Sequence, residues 1–328
     1  MKKISLLLVI GFVFVGCSSK SYFKPEKVTG SVNSQKMDYT IESVSNSGAL
    51  LSDGYALSKN GNIYNNLKNP KRFIYGDSSK LIYTKDDNSL KIDMLNIGTT
   101  RSVQFDTAIV GANSKNNLLA IIFANNKIAL FDMDKNETLF SETLEKVIAL
   151  NTKVANPIFL GELVIFPTLD GKIIIYDTTQ KKVVREIILT NERYFNNAIS
   201  LEVIKNRLIA STQTKVISIN PTFFTTLDID ISDIKFYKDR VFILSKDGKV
   251  TICDEDLRIL SEKKFPFSQL TGVVAKGEKI YIAERSGYIV ESDLNLTNYK
   301  IYSSTKFDDS FFASNSKFYT NKSVVEIK

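Results

Sequence analysis

The chain has 328 residues, of which 43% are hydrophobic, and a formal net charge of +7. It contains no His and no Trp, which excludes Ser-His-Asp and Cys-His catalysis and His-based metal sites. The Lys and Arg residues are scattered singly, so the charge predicts a solvated surface that favours an anionic membrane or partner, and not a nucleic-acid interface.

The first residues have the pattern of a secretory signal. Met1–Lys3 is basic, Ile4–Val15 is apolar, and Gly16 precedes Cys17. The apolar run is too short to span a bilayer as a mature helix. We therefore divide the chain into a signal peptide (1–16), a short polar linker (17–27) and one folded domain (28–328).

The residues around Cys17 resemble the lipobox of bacterial lipoproteins, with Phe14 where that family usually has Leu. The resemblance implies cleavage before Cys17, a diacylglycerol thioether on its sulfur and an acyl chain such as palmitate on its amine. Several acyl chains hold a protein on a membrane without a transmembrane helix. Ser18, where an Asp would stand for retention, implies the periplasmic face of the outer membrane, with the inner membrane as the alternative. The other alternative is an ordinary signal peptide whose cleavage site adjoins a cysteine.

The second cysteine, Cys253, lies in an apolar strand pattern with Val250 and Ile252. A lipidated Cys17 would leave it without an intramolecular disulfide partner. We expect Cys253 to be an inert core residue and not a reactive thiol.

The rest of the chain repeats a β-hairpin. Leu163–Asp177 turns at Asp170-Gly171, and Arg240–Asp254 is nearly superimposable on it, with a turn at Asp247-Gly248. Asn-Gly and Asp-Gly tolerate the positive φ of tight turns. The remaining copies are Gly54–Asn65, Leu81–Asn96, Leu118–Asp132, Arg207–Asn220, Lys279–Asp293 and Lys317–Ile327.

Successive turns lie roughly 27 to 45 residues apart, which is the period of propeller blades. One middle hairpin per blade predicts an all-β propeller of eight four-stranded blades. Seven blades are the alternative, because the gap between the turns at Asn60-Gly61 and Asn88 is short. The last blade would lack its outer strand. We expect Val28–Val32 to supply that strand and close the ring, and Tyr39–Val44 to open the first blade.

The hairpins resemble the PQQ-like repeat, whose blades carry an (Asp/Asn)-Gly-x-(Val/Ile)-x-Ala-(Leu/Phe)-Asp pattern. Asp170–Ile173 with Tyr176-Asp177 matches it, and Asn126–Asp132 includes the alanine. The Trp and most of the Gly residues that follow each aspartate in that family are absent. The pairs that define WD40 and kelch blades are absent as well.

A lipoprotein with such a propeller resembles the BamB family of outer-membrane assembly scaffolds. The calcium, acidic ligands and stacking Trp of quinone dehydrogenases are not identifiable, so we assign no cofactor, metal or catalytic residue. The resemblance implies a non-enzymatic monomer within a larger complex, with BamA-like proteins and nascent barrel proteins as partners and no nucleic acid. The alternatives are an envelope adaptor with another client, and an enzyme that uses carboxylates or Lys.

Some acidic residues resemble sites. Asp132–Asn136 has the D-x-D-x-N spacing of a calcium loop, but it lacks the glycine at the sixth position of such a loop, and Thr143 stands where the loop ends in a glutamate. We therefore interpret it as a turn. Asp228 and Asp230 share one strand face, which favours a solvent face over a catalytic pair. No base or nucleophile pairs with the remaining acids, Glu42, Asp254, Glu255 and Asp256.

Aromatic residues occur in or near the connecting segments. Most of them fit packing between blades, and a few fit an exposed partner patch. They are Phe223, Phe224, Phe265, Phe267, Phe311 and Phe312.

Overall fold

The computed structural model describes residues 22–327, apart from 87, 97, 193, 308, 309 and 322. The predicted signal peptide (1–16) and Cys17 lie outside these residues. Within the described part, the regular structure is β-sheet with one 3₁₀ turn, Ser52–Gly54, and no helix there has the length and apolar character needed to cross a membrane.

Eight sheets follow one another around a ring, which confirms the prediction of an eight-bladed propeller. Blade 1 consists of β3 (Ile41–Val44), β4 (Gly48–Leu51), β5 (Tyr55–Ser58) and β6 (Ile63–Tyr64), and blade 2 of β7 (Arg72–Gly76), β8 (Lys80–Thr84), β9 (Ser89–Met94) and β10 (Thr99–Gln104). Blade 3 consists of β11 (Ile109–Lys115), β12 (Leu118–Phe123), β13 (Lys127–Asp132) and β14 (Glu137–Thr143). Blade 4 consists of β15 (Ile158–Leu160), β16 (Leu163–Pro167), β17 (Lys172–Asp177) and β18 (Lys182–Ile188).

Blades 5 and 6 are β19 (Ser200–Ile204), β20 (Arg207–Ser211), β21 (Lys215–Ile219) and β22 (Phe224–Asp228); and β23 (Ile231–Tyr237), β24 (Arg240–Ser245), β25 (Lys249–Cys253) and β26 (Ile259–Lys264). Blade 7 is β27 (Leu270–Lys276), β28 (Lys279–Glu284), β29 (Tyr288–Asp293) and β30 (Tyr299–Ser303), with β1 (Gly30–Ser31) as a fifth strand. Blade 8 is β31 (Phe312–Ser314), β32 (Lys317–Tyr319), β33 (Ser323–Glu326) and β2 (Gln35–Lys36).

Burial differs between the strands of a blade because middle strands are covered on both faces by the neighbouring blades. Leu118–Phe123 is buried after its first residue, whereas Thr99–Gln104, a fourth strand, buries only Val103. The core is accordingly divided into clusters that lie between adjacent blades, such as the one that joins Ile82 to Leu119. Stacking of this kind buries hairpins that could not be stable alone.

The turns of the repeat have the geometry that their sequence predicts. Gly61, Gly171 and Gly248 each have a φ of +85°. At Gly248 an added Cβ would lie 2.5 Å from the carbonyl oxygen of Phe265, so both the conformation and the space require glycine there.

The ring is closed by an N-terminal strand, but not by the predicted segment. Within Val28–Val32, Gly30–Ser31 pairs in parallel with Tyr302 and Ser303 at the edge of blade 7. Gln35–Lys36 pairs antiparallel with Val324 and Ser323 and completes blade 8. The prediction failed because an outer strand faces solvent and carries no apolar signal. The first blade opens at Ile41–Val44, inside the predicted Tyr39–Val44.

Blade 1 is offset by one strand from the others. The predicted hairpin Gly54–Asn65 joins its third and fourth strands, so the prediction of a middle hairpin was wrong for this copy. Its second strand, β4, is the one that contacts the first strands of both neighbouring blades, β7 and β31. Lys59 directly follows β5 and lies in the loop before β6.

Candidate functional site

Five charged side chains converge on the axis of the propeller. They come from four separate parts of the chain and form what we call the axial cluster: Lys59, Lys153, Glu202, Asp233 and Lys235. First strands of several neighbouring blades contact one another around this axis, as β7 and β11 or β23 and β27 do, and β4 takes this place in blade 1.

Two of these side chains are tied to each other and to the backbone. The Lys153 ammonium lies 3.3 Å from one carboxylate oxygen of Asp233 and 3.4 Å from the carbonyl oxygen of Ser232. The other Asp233 oxygen accepts a hydrogen bond of 3.1 Å from the Val273 backbone N–H. The ion pair therefore connects the segment before β15 of blade 4 to blade 6, and the bond to Val273 connects blade 6 to blade 7.

The other three side chains have no hydrogen-bond or ion-pair partner among the residues that the structure describes: Lys59, Glu202 and Lys235. Burial lowers the pKa of Lys59 and of Lys235, and burial raises the pKa of Glu202. Lys59 and Lys235 are half-buried, whereas the side chain of Glu202 is exposed to the axial cavity, so the neighbouring protein removes it only partly from water.

The axial cavity has a volume of about 340 Å³ and continues into a narrower space of about 60 Å³. Asn46 and Lys59 line both spaces. Polar groups and apolar side chains alternate on the walls, with Glu202 and Phe236 around the larger space and Lys235 around the smaller one. A polar cavity of this size fits a small molecule.

Asn156 holds the wall of this cavity in place. Its amide donates to the hydroxyl of Ser47 at 2.7 Å and to the carbonyl of Ile74 at 2.8 Å, and its oxygen accepts from the Ala112 N–H at 3.2 Å. These bonds connect blades 1, 2 and 3 along the wall of the cavity.

The acidic residues identified in the sequence do not meet at one site. The Asp132 carboxylate accepts the backbone N–H groups of Asp134 and Lys135 at 3.0 and 3.1 Å, and Arg101 lies 2.7 Å from Asp134. Asp132–Asn136 is thus a turn between strands, as interpreted. Within the described residues no group of three or more His, Cys, Asp or Glu could hold a metal ion.

The other acids have individual structural partners. Asp228 ends a fourth strand, is 79% exposed and faces Lys215 at 3.3 Å. Asp256 forms a largely buried ion pair with Arg207, at 2.7 Å. Glu255 lies 2.9 Å from the Lys205 ammonium, and the Asp254 carboxylate accepts the backbone N–H groups of Asp256 and Arg258. The backbone carbonyl of Asp230 accepts the N–H of Lys246. Glu42 is exposed on β3.

The aromatic residues divide into buried and exposed sets. Phe265 packs on Phe23 and Tyr299, with ring centroids 6.4 and 5.5 Å away. Phe311 packs on Phe307 and Phe318, and Phe312 is buried. Phe223, Phe224 and Phe267 are 48, 59 and 65% exposed and are available to a partner.

Phe267 belongs to a second candidate surface, a groove of about 950 Å³ beside the first described residues. Tyr22 is 65% exposed in it, and the Lys263 ammonium lies 4.9 Å from the centroid of the Tyr299 ring. The other lysines that line this basic groove are Lys24, Lys27, Lys264 and Lys300.

Cys253 is fully buried in the core, and burial raises the pKa of its thiol to about 12. This agrees with the expected role in packing.

The axial cluster could not be found from sequence motifs. Its members lie on separate segments of the chain. Only Asp233 and Lys235 belong to one strand, where their spacing of two residues places them on the same face. Lys59 lies beside Lys153 and Lys235 only in the folded ring, and the repeat pattern does not reveal this proximity.

The fold defines the class of the protein, an eight-bladed β-propeller, and solved structures agree with it. BamB from Moraxella catarrhalis has a TM-score of 0.63 and 15% identity over 90% of this chain and 99% of its own. The C-terminal WD40 domain of Sif2 has a TM-score of 0.63 and 14% identity over 91% of this chain and 99% of its own. The Sqt1 structure from Saccharomyces cerevisiae has a TM-score of 0.60 and 11% identity over 92% of this chain and all of its own. These likenesses show the fold alone.

Sequence comparison finds a relative along almost the whole chain. The plasminogen-binding protein PgbB of Helicobacter pylori J99 is 28% identical over an alignment of 365 residues, covering 96% of this chain and 68% of PgbB. PgbB of strain 26695 is also 28% identical, over 96% of this chain and 67% of its own length. No family profile matches the chain. The BamB-like propeller fold is therefore confirmed, while the PQQ-like repeats and the lipid anchor stay predictions.

Proposed function

We propose that this protein is a non-enzymatic propeller outside the cytoplasm, held to a membrane by lipid on Cys17, that acts by binding other proteins. The observation that carries the binding role is the similarity, along 96% of the chain, to a protein named for binding plasminogen. The exposed rings of Phe223, Phe224 and Phe267 give this role a physical basis, since aromatic anchors supply much of the energy of protein interfaces.

The basic groove supports the membrane attachment. Tyr22 follows Cys17 by a segment that spans at most about 17 Å when extended. A lipid on Cys17 would therefore hold the groove close to the headgroups. Lys24, Lys263 and Lys300 would then face anionic lipids, each contributing about 1 kcal/mol near such a surface.

The first client that we propose is the outer-membrane β-barrel assembly machinery, with BamA-like proteins and nascent barrel proteins as partners. The lipobox, Ser18 after Cys17 and the fold shared with BamB support this proposal. The protein would work as a monomer within that complex, on the periplasmic face of the outer membrane.

The second client is an extracellular protein such as plasminogen, and the sequence relative favours it. This version keeps the propeller and the anchor but requires exposure on the outer surface. The two proposed clients differ in the side of the outer membrane on which the protein must lie and in the phenotype that its loss would cause.

Depletion of the protein separates the two clients. The assembly role predicts that many barrel proteins fall together in the outer membrane, with unchanged binding of plasminogen to intact cells. The second role predicts normal barrel proteins and reduced plasminogen binding. Re-expression of wild type and of the Cys17→Ser variant is the matched control, since the variant should restore neither phenotype if the anchor is needed.

A further inference from the structure

The axial cluster contains two ammonium groups that form no close ion pair, although Asp233 and Glu202 attract both of them through space. Asp233 is already engaged by Lys153 and by the Val273 N–H. Lys59 and Lys235 are half-buried and line the same small space without a hydrogen-bond acceptor among the described residues. Because a half-buried charge without a close partner costs free energy, a ligand that pairs with these lysines would recover part of that cost.

The position of Lys59 is fixed by its own backbone. Its N–H donates to the carbonyl of Ser47 at 2.8 Å, and its carbonyl accepts from the Ser314 hydroxyl at 3.2 Å. The loop is therefore attached to blade 8 and to the turn before β4. The backbone of this loop is therefore preorganised, so a ligand would not have to order the loop on binding.

The cavity next to these lysines has room and mixed polarity. It offers about 340 Å³, lined by amides such as Asn113 and Asn156 and by apolar walls such as Ile158. Three lysines and two acids give the axial cluster a net positive charge. Glu202 faces the larger space and disfavours a ligand with many negative charges.

We propose that the axial cavity binds a small anion with carboxylate or phosphate oxygens, which Lys59 and Lys235 contact as hydrogen-bond donors. Lysine is a compact donor of three N–H groups and matches both kinds of oxygen. This site is separate from the exposed aromatic surface, so it goes beyond the proposed protein-binding role.

Isothermal titration calorimetry of the full chain, purified in detergent, tests the proposal. Sodium succinate and inorganic phosphate are the two probes, and their separate titrations tell a carboxylate site from a phosphate site. We expect saturable binding of at least one probe, about tenfold or more weaker in Lys59→Met and in Lys235→Met, because each variant loses a charged hydrogen bond. Lys182→Met, at an exposed position of β18 outside both the axial cluster and the basic groove, is the matched control and should bind as wild type does.

Absence of saturable binding of both probes would overturn the proposal, as would equal affinity in Lys59→Met and Lys182→Met. Thermal unfolding without probe adds a second readout, since Lys59→Met removes an uncompensated charge and should melt at the same temperature as wild type or higher. A lower melting temperature would show that Lys59 serves the fold and would contradict the proposal. If Lys59→Met does not fold, Lys235→Met carries the test. Partner capture should be unchanged in both variants, so failure here does not depend on the proposed function.

Discussion

Gln35 lies opposite Val324 in an antiparallel strand pair, so the start of the domain closes the blade that the end of the chain begins. The same N-terminal segment also adds Gly30 beside Tyr302 in the preceding blade. The ring is therefore held by two successive edge pairings, and its first strands are not a passive extension of the linker.

Removal of these strands should destabilise the whole ring. A variant that begins at residue 39 is expected to unfold with about 2–5 kcal/mol less free energy than one that begins at residue 29, because each lost backbone hydrogen bond contributes about 0.5–1.5 kcal/mol. Both variants lack Phe23, so its packing does not enter the comparison. Chemical denaturation measures the difference. Equal stability of the two variants would contradict closure by Gln35–Lys36.

The Asp at the end of the repeat hairpin should stabilise the following turn. Burial alone would raise the pKa of Asp293, but hydrogen bonds from Thr297, Asn295 and Asn298 hold it well below its usual range. We expect Asp293→Ala to cost about 1–2 kcal/mol at pH 7, discounted for exposure to water. Asp293→Asn should cost less, because Asn220 makes the same turn in blade 5.

The pH dependence of that effect has a definite sign. The pKa of Asp293 is lower in the folded state than in the unfolded chain, so its contribution is complete above the ordinary carboxyl pKa and disappears as the pH falls. Urea unfolding of wild type and Asp293→Ala at pH 7 and at pH 3 measures it. A stability difference between wild type and Asp293→Ala that is larger at pH 3 than at pH 7 would contradict this prediction.

The contribution of Glu202 to stability should change with pH in the opposite direction. Because burial raises its pKa in the folded state, the folded protein is penalised once the group ionises above the ordinary carboxyl pKa. We expect Glu202→Gln to raise stability at pH 7, by less than about 1 kcal/mol since water in the cavity screens the charge, and to change nothing at low pH. Paired melting curves at the two pH values test this. Lower stability of Glu202→Gln at pH 7 would point to a partner for the carboxylate.

Cys253 should be inert while the protein is folded. With a thiol pKa of about 12 and a buried side chain, the thiolate is scarce at pH 8. In a variant that begins at residue 22, and so lacks Cys17, Ellman's reagent should react within minutes in denaturant and negligibly without it. Rapid reaction of the native protein would show that this strand opens.

The fold could be predicted from sequence to the extent that its signals are local. Glycine turns at Gly171 and Gly248 and the buried strands beside them depend on neighbouring residues, so the blades were predictable. Gln35–Lys36 was not, because an edge strand is chosen by its distant partner and not by its own polarity. Lys59 and Lys235 meet only through the closure of the ring, so no spacing in the sequence could bring them together.

The exposed aromatic rings should carry much of the partner binding. Phe224→Ala with Phe267→Ala is expected to reduce partner capture by about tenfold without lowering the melting temperature, since both rings are already exposed. The matched control is Tyr194→Ala, which removes another exposed aromatic residue elsewhere on the ring. Unchanged capture by the double variant would place the interface away from both rings.

The central claim, a membrane-held protein-binding propeller, is tested most directly by affinity purification of the tagged full-length protein from detergent-solubilised envelopes, with mass spectrometry of the captured proteins. The account predicts stoichiometric capture of envelope proteins over a tagged control lipoprotein, with BamA-like proteins among them if the assembly role holds. Recovery of the protein alone, under mild crosslinking and from cells that express it at native level, would contradict the claim.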